Sequence, residues 1–422
     1  MRSKANTIRM IGCMAAPLAA VVAATLAAAS AAQAATITYT SVAAGGNWNS
    51  SGTWTGSGGT SYTYPGNSEA GDNVSIANNA TVTLSVNLPY TIYNLNIGAG
   101  TLDQTGGSLM TVSGSALRGG NGTATSAYTV SGGTATLGGF YLGAQYGAFT
   151  LDVAGGTVNL GNTVYGTGSS YAGTMTVNSG KLNFTAGSFT LSNGGNTPIN
   201  GTGTLNLNGG TFATYAGLTG SNATGGNSYI NFNGGTLQAT GNIALSGLTS
   251  ANVQGGGAVF DTNGNTVTVS QNLISDPTSP SVTDGGLTLN DSSTLHNGKL
   301  ILSGTGNTYN GNTTVNAGTL QIDSAFLAST SAVSIASGAH MLLDYSTGTN
   351  NIAGLSLGGT VLGPGTYGYG TQGGLYNSYF SSGGTNYSGT LTVLAAPEPT
   401  TLALYGLGMA GLLLVGRRRQ AR

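Results

Sequence analysis

The chain has 422 residues, of which only 5% are charged and 74 are glycine, and its formal net charge at pH 7 is −1. Positive charge is concentrated at the two ends, because three of the ten basic residues lie within the first nine positions and four lie at or after Arg417. Residues 35–396 keep only Arg118, Lys181 and Lys299 against ten acidic residues, a formal charge of −7. Phosphate binding requires clustered Lys and Arg, so this composition argues against nucleic acid as a partner.

Residues 1–34 have the pattern of a secretory signal peptide. Arg2, Lys4 and Arg9 form a charged region, an apolar Ala-rich stretch follows, and Ala32-Gln33-Ala34 has the small-x-small pattern of a signal-peptidase site. We therefore predict export through the Sec translocon and cleavage by signal peptidase after Ala34, with Ala32 and Ala34 as the recognised residues. Cys13, the only cysteine, lies in this segment, so the mature chain is predicted to have neither a disulfide nor a thiolate metal site.

Residues 35–100 begin the predicted body and contain both tryptophans, Trp48 and Trp54. The end of a stacked β-structure exposes apolar side chains and unpaired strand edges, so it requires a cap. We interpret 35–100 as an N-terminal cap and first coils. An aromatic platform for sugar stacking is the functional alternative, since sugars present apolar C–H faces to flat rings.

The middle of the body repeats short segments in which Thr or Asn alternates with Val, Leu or Ile. The glycines that precede these segments are Gly107, Gly133, Gly156, Gly180, Gly210 and Gly235. Their steps are 26, 23, 24, 30 and 25 residues, and Gly298, Gly318 and Gly338 follow at steps of 20. Alternation with period 2 indicates strands, and this spacing without a helical pattern indicates a solenoid.

One such strand buries only its apolar side chains and cannot form a core alone, whereas stacked coils can. Coils paired at about 4.8 Å would bury the Leu, Val and Ile of successive turns, and Asn stacked on Asn would form amide ladders. We predict an all-β body, residues 35–396, that forms a single elongated parallel β-helix of roughly 14 to 18 coils. Disorder is the competing interpretation, but Gly and Pro together make up 83 of 422 residues, below the share typical of low-complexity chains.

Residues 287–322 contain the most regular repeat. A Leu-rich strand from Leu300 to Leu302 is followed by Ser303-Gly304, Asn307-Thr308-Tyr309, Gly311 and the strand segment Thr313 to Val315, and the segment ends with Ala317 to Leu320. This order resembles the autotransporter-associated β-strand repeat. The resemblance implies a right-handed parallel β-helix of the passenger type.

Residues 363–394 are rich in tyrosine and are interpreted as the C-terminal cap of the body.

Patterns of residues typical of catalytic sites are scarce in the body. His296 and His340 are the only histidines, and the closest acidic pairs are Asp284 with Asp291 and Glu69 with Asp72. A β-helical polysaccharide lyase or hydrolase needs carboxylates that converge on one face. The sequence leaves open whether Asp152, Asp261 and Asp344 stack on one another across coils and so provide such a group. We predict no catalytic, cofactor-binding or metal-binding residue, and no enzyme activity.

The last 26 residues, 397–422, combine three features in a fixed order. Pro397-Glu398-Pro399 is followed by an uncharged apolar run, residues 400–416, and then by Arg417-Arg418-Arg419. The run predicts a transmembrane helix, and the arginines predict that its end stays on the cytoplasmic side, so the body must lie outside. An ordinary C-terminal anchor is the alternative.

This tail resembles the PEP-CTERM sorting signal. The resemblance implies recognition by an exosortase, with Pro397, Glu398 and Pro399 as the processing motif and Arg417, Arg418 and Arg419 as topology determinants. The whole sequence then predicts a secreted, non-enzymatic protein of the cell surface or extracellular matrix, associated with exopolysaccharide. Transient anchoring in the inner membrane would precede processing. An adhesin or carbohydrate-binding β-helix is the first alternative, and the polysaccharide lyase or hydrolase is the second.

Overall fold

The computed structural model describes residues 37–57, 63–67, 71–111, 116–119, 125–141, 147–161, 164–167, 172–192, 201–220, 226–278, 283–382 and 388–395. Within these ranges the chain forms short strands and two single-turn 3-10 helices, Ser51–Thr53 and Thr371–Gly374. The strands before residue 220 are β1 (Thr38–Ser41), β2 (Gly46–Asn47), β3 (Trp54–Ser57), β4 (Asp72–Ile76), β5 (Ala80–Leu84), β6 (Ile92–Ile97), β7 (Gly100–Gln104), β8 (Ser108–Met110), β9 (Ala116–Gly119), β10 (Ser126–Val130), β11 (Thr134–Leu137), β12 (Gly139–Tyr141), β13 (Phe149–Leu160), β14 (Val164–Thr167), β15 (Ala172–Phe184), β16 (Phe189–Ser192), β17 (Thr202–Leu207), β18 (Thr211–Thr214) and β19 (Leu218–Thr219).

The strands after residue 220 are equally short. They are β20 (Asn227–Phe232), β21 (Thr236–Ala239), β22 (Ile243–Ser246), β23 (Ser250–Val253), β24 (Ala258–Asp261), β25 (Thr266–Val269), β26 (Leu273–Ser275), β27 (Leu287–Asn290), β28 (Lys299–Leu302), β29 (Thr313–Val315), β30 (Thr319–Ile322), β31 (Ala332–Ile335), β32 (His340–Leu343), β33 (Asn350–Ile352), β34 (Gly354–Leu357), β35 (Thr360–Leu362), β36 (Gly365–Tyr367) and β37 (Leu391–Val393).

Three stacks of parallel strands form the walls of the molecule. Face A consists of β1, β4, β6, β9, β12, β14, β16, β19, β22, β25, β28, β30 and β32. Face B consists of β5, β7, β10, the first parts of β13 and β15, β17, β20, β23 and β26. Face C consists of β8, β11, the second parts of β13 and β15, β18, β21, β24, β27, β29, β31 and β34. The chain passes from B to C to A in each coil between residues 100 and 275, which confirms the predicted parallel β-solenoid.

The spacing of the first glycine series, Gly107 to Gly235, matches the register in which the strands of face C pair. The residues that directly follow the six glycines pair with one another from coil to coil: Ser108, Thr134, Thr157, Lys181, Thr211 and Thr236. The second glycine series marks face A instead. Lys299 pairs with Thr319, but Thr319 pairs with His340, because Ala339 lies between Gly338 and its strand.

Close stacking explains why these corners are glycine. A Cβ on Gly133 would lie 2.1 Å from the carbonyl oxygen of Gly107, and a Cβ on Gly180 would lie 2.3 Å from that of Gly156. Gly133 and Gly180 also have φ of +72°, which L-residues with a side chain rarely adopt. Each glycine thus makes room for the backbone of the coil before it.

The core consists of columns of apolar side chains, one residue from each coil. On face B the column contains Leu102, Tyr128, Leu151, Met175, Leu205, Ile230, Ala251 and Leu273, which pair in register and are fully buried. Burial of one Leu, Ile or Met side chain contributes about 1.5 to 3 kcal/mol. A solenoid of this kind is therefore held together along its whole length by contacts between neighbouring coils.

The number of coils is smaller than predicted. In the described part of the chain, face A contains thirteen parallel strands, whereas 14 to 18 coils were expected. Some coils are much longer than 25 residues: Thr38 pairs with Asn73, and Thr266 pairs with Lys299. Residues in these long connections form no additional stacked strand, so the chain makes fewer coils than its length alone suggests.

The antiparallel strand pairs of the described residues lie at the two ends. At the N-terminal end β3 pairs with β1, and at the C-terminal end β35 folds back on β34. A separate three-stranded sheet in the order β33-β37-β36 covers the last coils. These pairs cover strand edges that a parallel stack would otherwise leave open.

Candidate functional site

Asp291 directly follows β27 and is fixed in a loop by backbone hydrogen bonds. It is 3% exposed, its Oδ1 accepts hydrogen bonds from Gly264 N at 2.7 Å and Ser293 N at 3.1 Å, and its Oδ2 accepts one from Gly298 N at 2.6 Å. Burial alone would raise the pKa of Asp291, but these hydrogen bonds favour the charged form and the pKa lies below its ordinary value. The carboxylate holds three backbone segments together.

Asp284 has the same role before β27. Its Oδ1 accepts from Gly286 N at 2.9 Å and Gly311 N at 2.8 Å, and its Oδ2 accepts from Asn310 N at 2.8 Å. Asp284 and Asp291 therefore lie at opposite ends of one strand, each enclosed by its own loop. The sequence pairs them, but the structure does not bring them together as an acid and base.

Four other acids named from the sequence also have structural partners, whereas Glu69 lies outside the described ranges. Asp72 accepts from Gly66 N at 2.7 Å. Asp261 accepts from Asn263 N at 3.1 Å, Ser292 N at 2.9 Å and Gln238 Nε2 at 2.7 Å. Asp152 accepts from Asn178 Nδ2 at 2.8 Å, and Asp344 accepts from Gln321 Nε2 at 3.2 Å. Within the described ranges, no cluster of three or more His, Cys, Asp or Glu side chains could hold a metal ion.

The two histidines lie on different elements. His296 is in the loop before β28 with φ of +48°, and its Nδ1 lies 2.8 Å from the carbonyl oxygen of Asp291. His340 is the half-buried first residue of β32 and pairs with Thr319. The structure places His296 in the loop that Asp291 organises and His340 on face A, so the two imidazoles do not share a site.

The tryptophans form a buried cap. Trp48 is 0% exposed and Trp54 is 7% exposed, and their rings meet edge to face at 5.0 Å between centroids. The Nε1 of Trp48 donates to the carbonyl oxygen of Pro65 at 3.0 Å, and the Nε1 of Trp54 donates to that of Trp48 at 2.7 Å. Buried rings cannot stack on a sugar, so the alternative of an aromatic platform built on these tryptophans is wrong.

The tyrosine-rich C-terminal segment also packs as a cap. Tyr367 is buried against Tyr376 at 5.5 Å between ring centroids, and Phe380 is fully buried. The hydroxyl of Tyr345 donates to the carbonyl oxygen of Thr390 at 2.9 Å and accepts from Asn350 Nδ2 at 2.7 Å, and burial raises the pKa of Tyr345 to about 12. The neutral phenol of Tyr345 therefore connects Thr390, just before β37, to Asn350, the first residue of β33.

The outward side of face B carries a continuous amide ladder. Asn206 donates to Thr176 Oγ1 at 3.3 Å, Asn231 donates to Asn206 Oδ1 at 2.7 Å, and Asn252 donates to Asn231 Oδ1 at 2.8 Å. The residues pair in strand register. The predicted stacking of Asn on Asn is therefore confirmed.

A row of hydroxyls runs beside the ladder on the same face. Thr150, Thr174 and Thr204 pair in register, and Thr174 and Thr204 lie two residues before the ladder residues Thr176 and Asn206, whereas Thr150 lies two residues before Asp152. Successive rungs are about 4.8 Å apart, and two residues along a strand span roughly 6.7 Å. This gives a lattice of hydroxyl and amide groups, in which the ladder row continues through Asp152 toward the N-terminal end.

The repeat-like segment has a polar clip that sequence reasoning missed. Asn307 Oδ1 accepts from Leu273 N at 2.8 Å while its Nδ2 donates to the carbonyl oxygen of Gly304 at 2.6 Å. Thr308 N donates to the carbonyl oxygen of Leu273 at 2.9 Å, so the segment continues face B beyond β26. Tyr309 is buried, and its hydroxyl lies 3.0 Å from Thr313 Oγ1. The Asn307-Thr308-Tyr309 sequence was the signal that could have located this clip.

The residues predicted for export and sorting lie outside the described ranges. These are Ala32 and Ala34, Pro397, Glu398 and Pro399, and Arg417, Arg418 and Arg419. None of the helices in the described part of the chain has the length and hydropathy needed to cross a membrane, and the predicted span 400–416 lies beyond that part. The last strand, β37, ends at Val393, and Leu394 N donates to the carbonyl oxygen of Ile352 at 3.1 Å.

Comparison with known families assigns two segments. Residues 297–322 match the passenger-associated-transport repeat, and residues 395–419 match the PEP-CTERM protein-sorting motif. The chain is a β-solenoid with a PEP-CTERM sorting motif. Both resemblances drawn from the sequence are thereby confirmed for these segments. Comparison of the chain with curated proteins and with solved structures gave no match.

The sorting motif begins directly after the last backbone hydrogen bond that the described residues show. Its first residue, Ala395, follows Leu394, whose backbone N–H donates to the carbonyl oxygen of Ile352. The PEP-CTERM motif implies recognition by an exosortase, and together with the transport repeat it indicates an exported, surface-destined protein.

Proposed function

We propose that the chain is a non-enzymatic structural protein of the cell surface or extracellular matrix, which an exosortase processes and which associates with exopolysaccharide. The observation that carries this proposal is the position of the sorting motif directly after a closed solenoid cap. Processing at Pro397-Glu398-Pro399 would remove the tail and leave β37 in place. The released body would thus keep its complete hydrogen-bonded end.

The environment of the acidic residues supports a structural role. Asp261, Asp284 and Asp291 each accept at least two backbone N–H groups, which a substrate would have to displace. General acid or base catalysis needs a carboxyl group within reach of a proton on the substrate. These carboxylates are used to connect neighbouring coils.

The processing step can be tested with variants of the tail in a host that contains an exosortase. Replacing Pro397-Glu398-Pro399 with Ala-Ala-Ala should leave the protein anchored and unprocessed, because the apolar run and the arginines are unchanged. Replacing Arg417, Arg418 and Arg419 with Ser should weaken retention, since each charge opposes passage of the tail by roughly 2.5 to 3.5 kcal/mol at the membrane centre. Normal trimming of the Ala-Ala-Ala variant would show that the tail is only an anchor.

A carbohydrate-binding role is the second candidate, and the hydroxyl and amide rows of face B favour it. Repeating polar groups on a flat surface suit an extended polysaccharide, which presents hydroxyls at regular intervals. Replacing Thr150, Thr174 and Thr204 with Val keeps the strand shape and removes three hydroxyls from face B. Replacing Thr134, Thr157 and Thr211 with Val does the same on face C and serves as the matched control.

Exopolysaccharide from the same bacterium should retain the wild type in a pull-down. If face B is the binding surface, its triple variant should lose retention while the face C variant keeps it. Equal retention of both variants would remove the carbohydrate-binding assignment to face B.

A further inference from the structure

The C-terminal end of the body differs in charge from the rest. All thirteen charged residues of the body lie before Tyr345, and the 52 residues from Tyr345 to Ala396 contain no Asp, Glu, Lys or Arg. This segment includes β33 to β37, which form most of the C-terminal end. The end that leads into the sorting motif therefore carries no ionised side chain of these four types.

Exposed apolar side chains are concentrated in the same segment. Among the described residues, nine large hydrophobic side chains are exposed, and four of them lie between residues 361 and 394. They are Val361 at 78%, Tyr369 at 39%, Leu375 at 69% and Leu394 at 42%. Large apolar side chains that cluster on a surface generally mark a contact with another phase or partner.

The backbone around these residues is hydrogen-bonded. Val361 lies on β35, which pairs with β34, and Leu394 directly follows β37 and donates to Ile352. Leu375 directly precedes Tyr376, whose ring packs on the buried Tyr367. The apolar groups are thus presented by an ordered cap.

Chain length restricts how far this cap can lie from the predicted anchor. Only residues 395–399 separate Leu394 from Thr400, where the apolar run begins. Six Cα steps of at most about 3.6 Å span no more than roughly 22 Å. Before processing, the cap must therefore lie close to the bilayer surface.

We propose that the C-terminal cap is a docking surface for the phospholipid bilayer, on which the solenoid rests until the tail is removed. Tyrosine and apolar side chains are favoured at the membrane interface, where rings contact acyl chains and hydroxyls contact headgroups. The absence of carboxylates avoids repulsion from anionic headgroups. This proposal rests on the membrane anchoring of the proposed function and adds the orientation of the body relative to the bilayer.

The test uses the full mature chain, with its tail, reconstituted in vesicles of phosphatidylethanolamine and phosphatidylglycerol without exosortase. The mature chain has no cysteine of its own, so single cysteines can carry a fluorophore. Leu375→Cys reports the cap, Tyr93→Cys is the control because Tyr93 is 47% exposed on β6, ten strands before β32 in face A, and Leu404→Cys reports the apolar run. Lipids with a nitroxide headgroup quench labels near the bilayer surface, and lipids with a nitroxide acyl chain quench labels inside it.

Headgroup nitroxide should reduce the emission of the Leu375→Cys label at least about twofold, as expected for a group within the interface, and leave the Tyr93→Cys label unchanged. Added salt should not alter the result, since the contact is uncharged. Acyl-chain quenching at Leu404→Cys without headgroup quenching at Leu375→Cys would overturn the docking surface and keep the anchor. Absence of quenching at both Leu375→Cys and Leu404→Cys would overturn both the docking surface and the anchor. Quenching at Leu375→Cys only after exosortase is added would show that the cap binds that protein and not lipid.

Discussion

The coils between residues 100 and 275 and the coils after residue 284 differ in how much their corners depend on polar side chains. In the first region, glycines such as Gly133 and Gly180 stack directly on the backbone of the previous coil. In the second, glycines such as Gly286 also lie against neighbouring backbone, and side chains such as Asp284, Asp291 and Asn307 in addition accept or donate backbone hydrogen bonds across the loops. The first kind of corner depends on the absence of a side chain, and the second on a particular charged or polar one.

The two kinds of corner should differ in their sensitivity to pH. A glycine corner contains no titratable group, so acid should not affect it directly. A carboxylate corner holds backbone N–H groups through its charge, so protonation weakens it. The loop that the carboxylate of Asp291 holds is therefore expected to be the acid-sensitive part of the solenoid.

The largest effect is expected at a glycine corner. Gly133→Ala places a methyl group about 2.1 Å from the carbonyl oxygen of Gly107 at a positive φ. We expect a loss of about 2 to 5 kcal/mol in the free energy of unfolding, measured by urea denaturation. Gly255→Ala is the control, because a Cβ there would meet no atom within 4 Å. Equal stability of the two variants would refute the stacked-glycine corner.

A smaller effect is expected at a carboxylate corner. Asp291→Asn replaces one acceptor oxygen with an NH₂ group that faces a backbone N–H, and we expect a loss of about 1 to 3 kcal/mol in the same measurement. Asp323→Asn is the comparison, since Asp323 accepts from the side chain of Gln321 at 2.7 Å and lies at a half-exposed position. A loss at Asp323→Asn as large as that at Asp291→Asn would remove the special role of the loop.

The pH dependence of stability separates the two kinds of corner further. The pKa of Asp291 is lowered in the folded protein, so its contribution is present above the unfolded pKa of about 3.9 and is lost as the pH falls through the folded value. The urea midpoint of the wild type should therefore fall more steeply below about pH 4 than that of Asp291→Asn. Parallel curves for the two proteins would show that Asp291 does not couple protons to folding.

The smallest effect is expected in the ladder of face B. Asn231→Ala removes the hydrogen bonds to Asn206 and from Asn252, and the expected loss in unfolding free energy is about 1 kcal/mol. Asn351→Ala, at an exposed position of β33, is the control. An unchanged unfolding free energy for Asn231→Ala would mean that hydrogen bonds to water replace the ladder hydrogen bonds without a loss of stability.

The sequence was sufficient for the solenoid and its face C register. Glycine spacing corresponds directly to register, because each stacked glycine lies immediately before a strand. The burial of Trp48 and Trp54 agrees with the requirement that an open end of a stack be covered. These features depend on local pattern or on a general requirement of stacked strands.

Other features could not be predicted because they depend on contacts between distant residues. The carboxylate of Asp261 meets Ser292 N, 31 residues away, and that of Asp284 meets Asn310 N, 26 residues away. No local pattern shows which backbone N–H a side chain will reach. The coil number was overestimated for a related reason, because the long connection between Thr266 and Lys299 is not visible as such in the sequence.

The most direct test of the proposed function is the intact mass of the protein recovered from the surface or medium of an exosortase-containing host. The proposal predicts a chain that begins at Ala35 and ends near Pro397-Glu398-Pro399, and therefore lacks both the signal peptide and the apolar run. Any glycan would add mass to that chain in discrete units. A recovered protein that still ends at Arg422 would contradict processing at the sorting motif and with it the central claim.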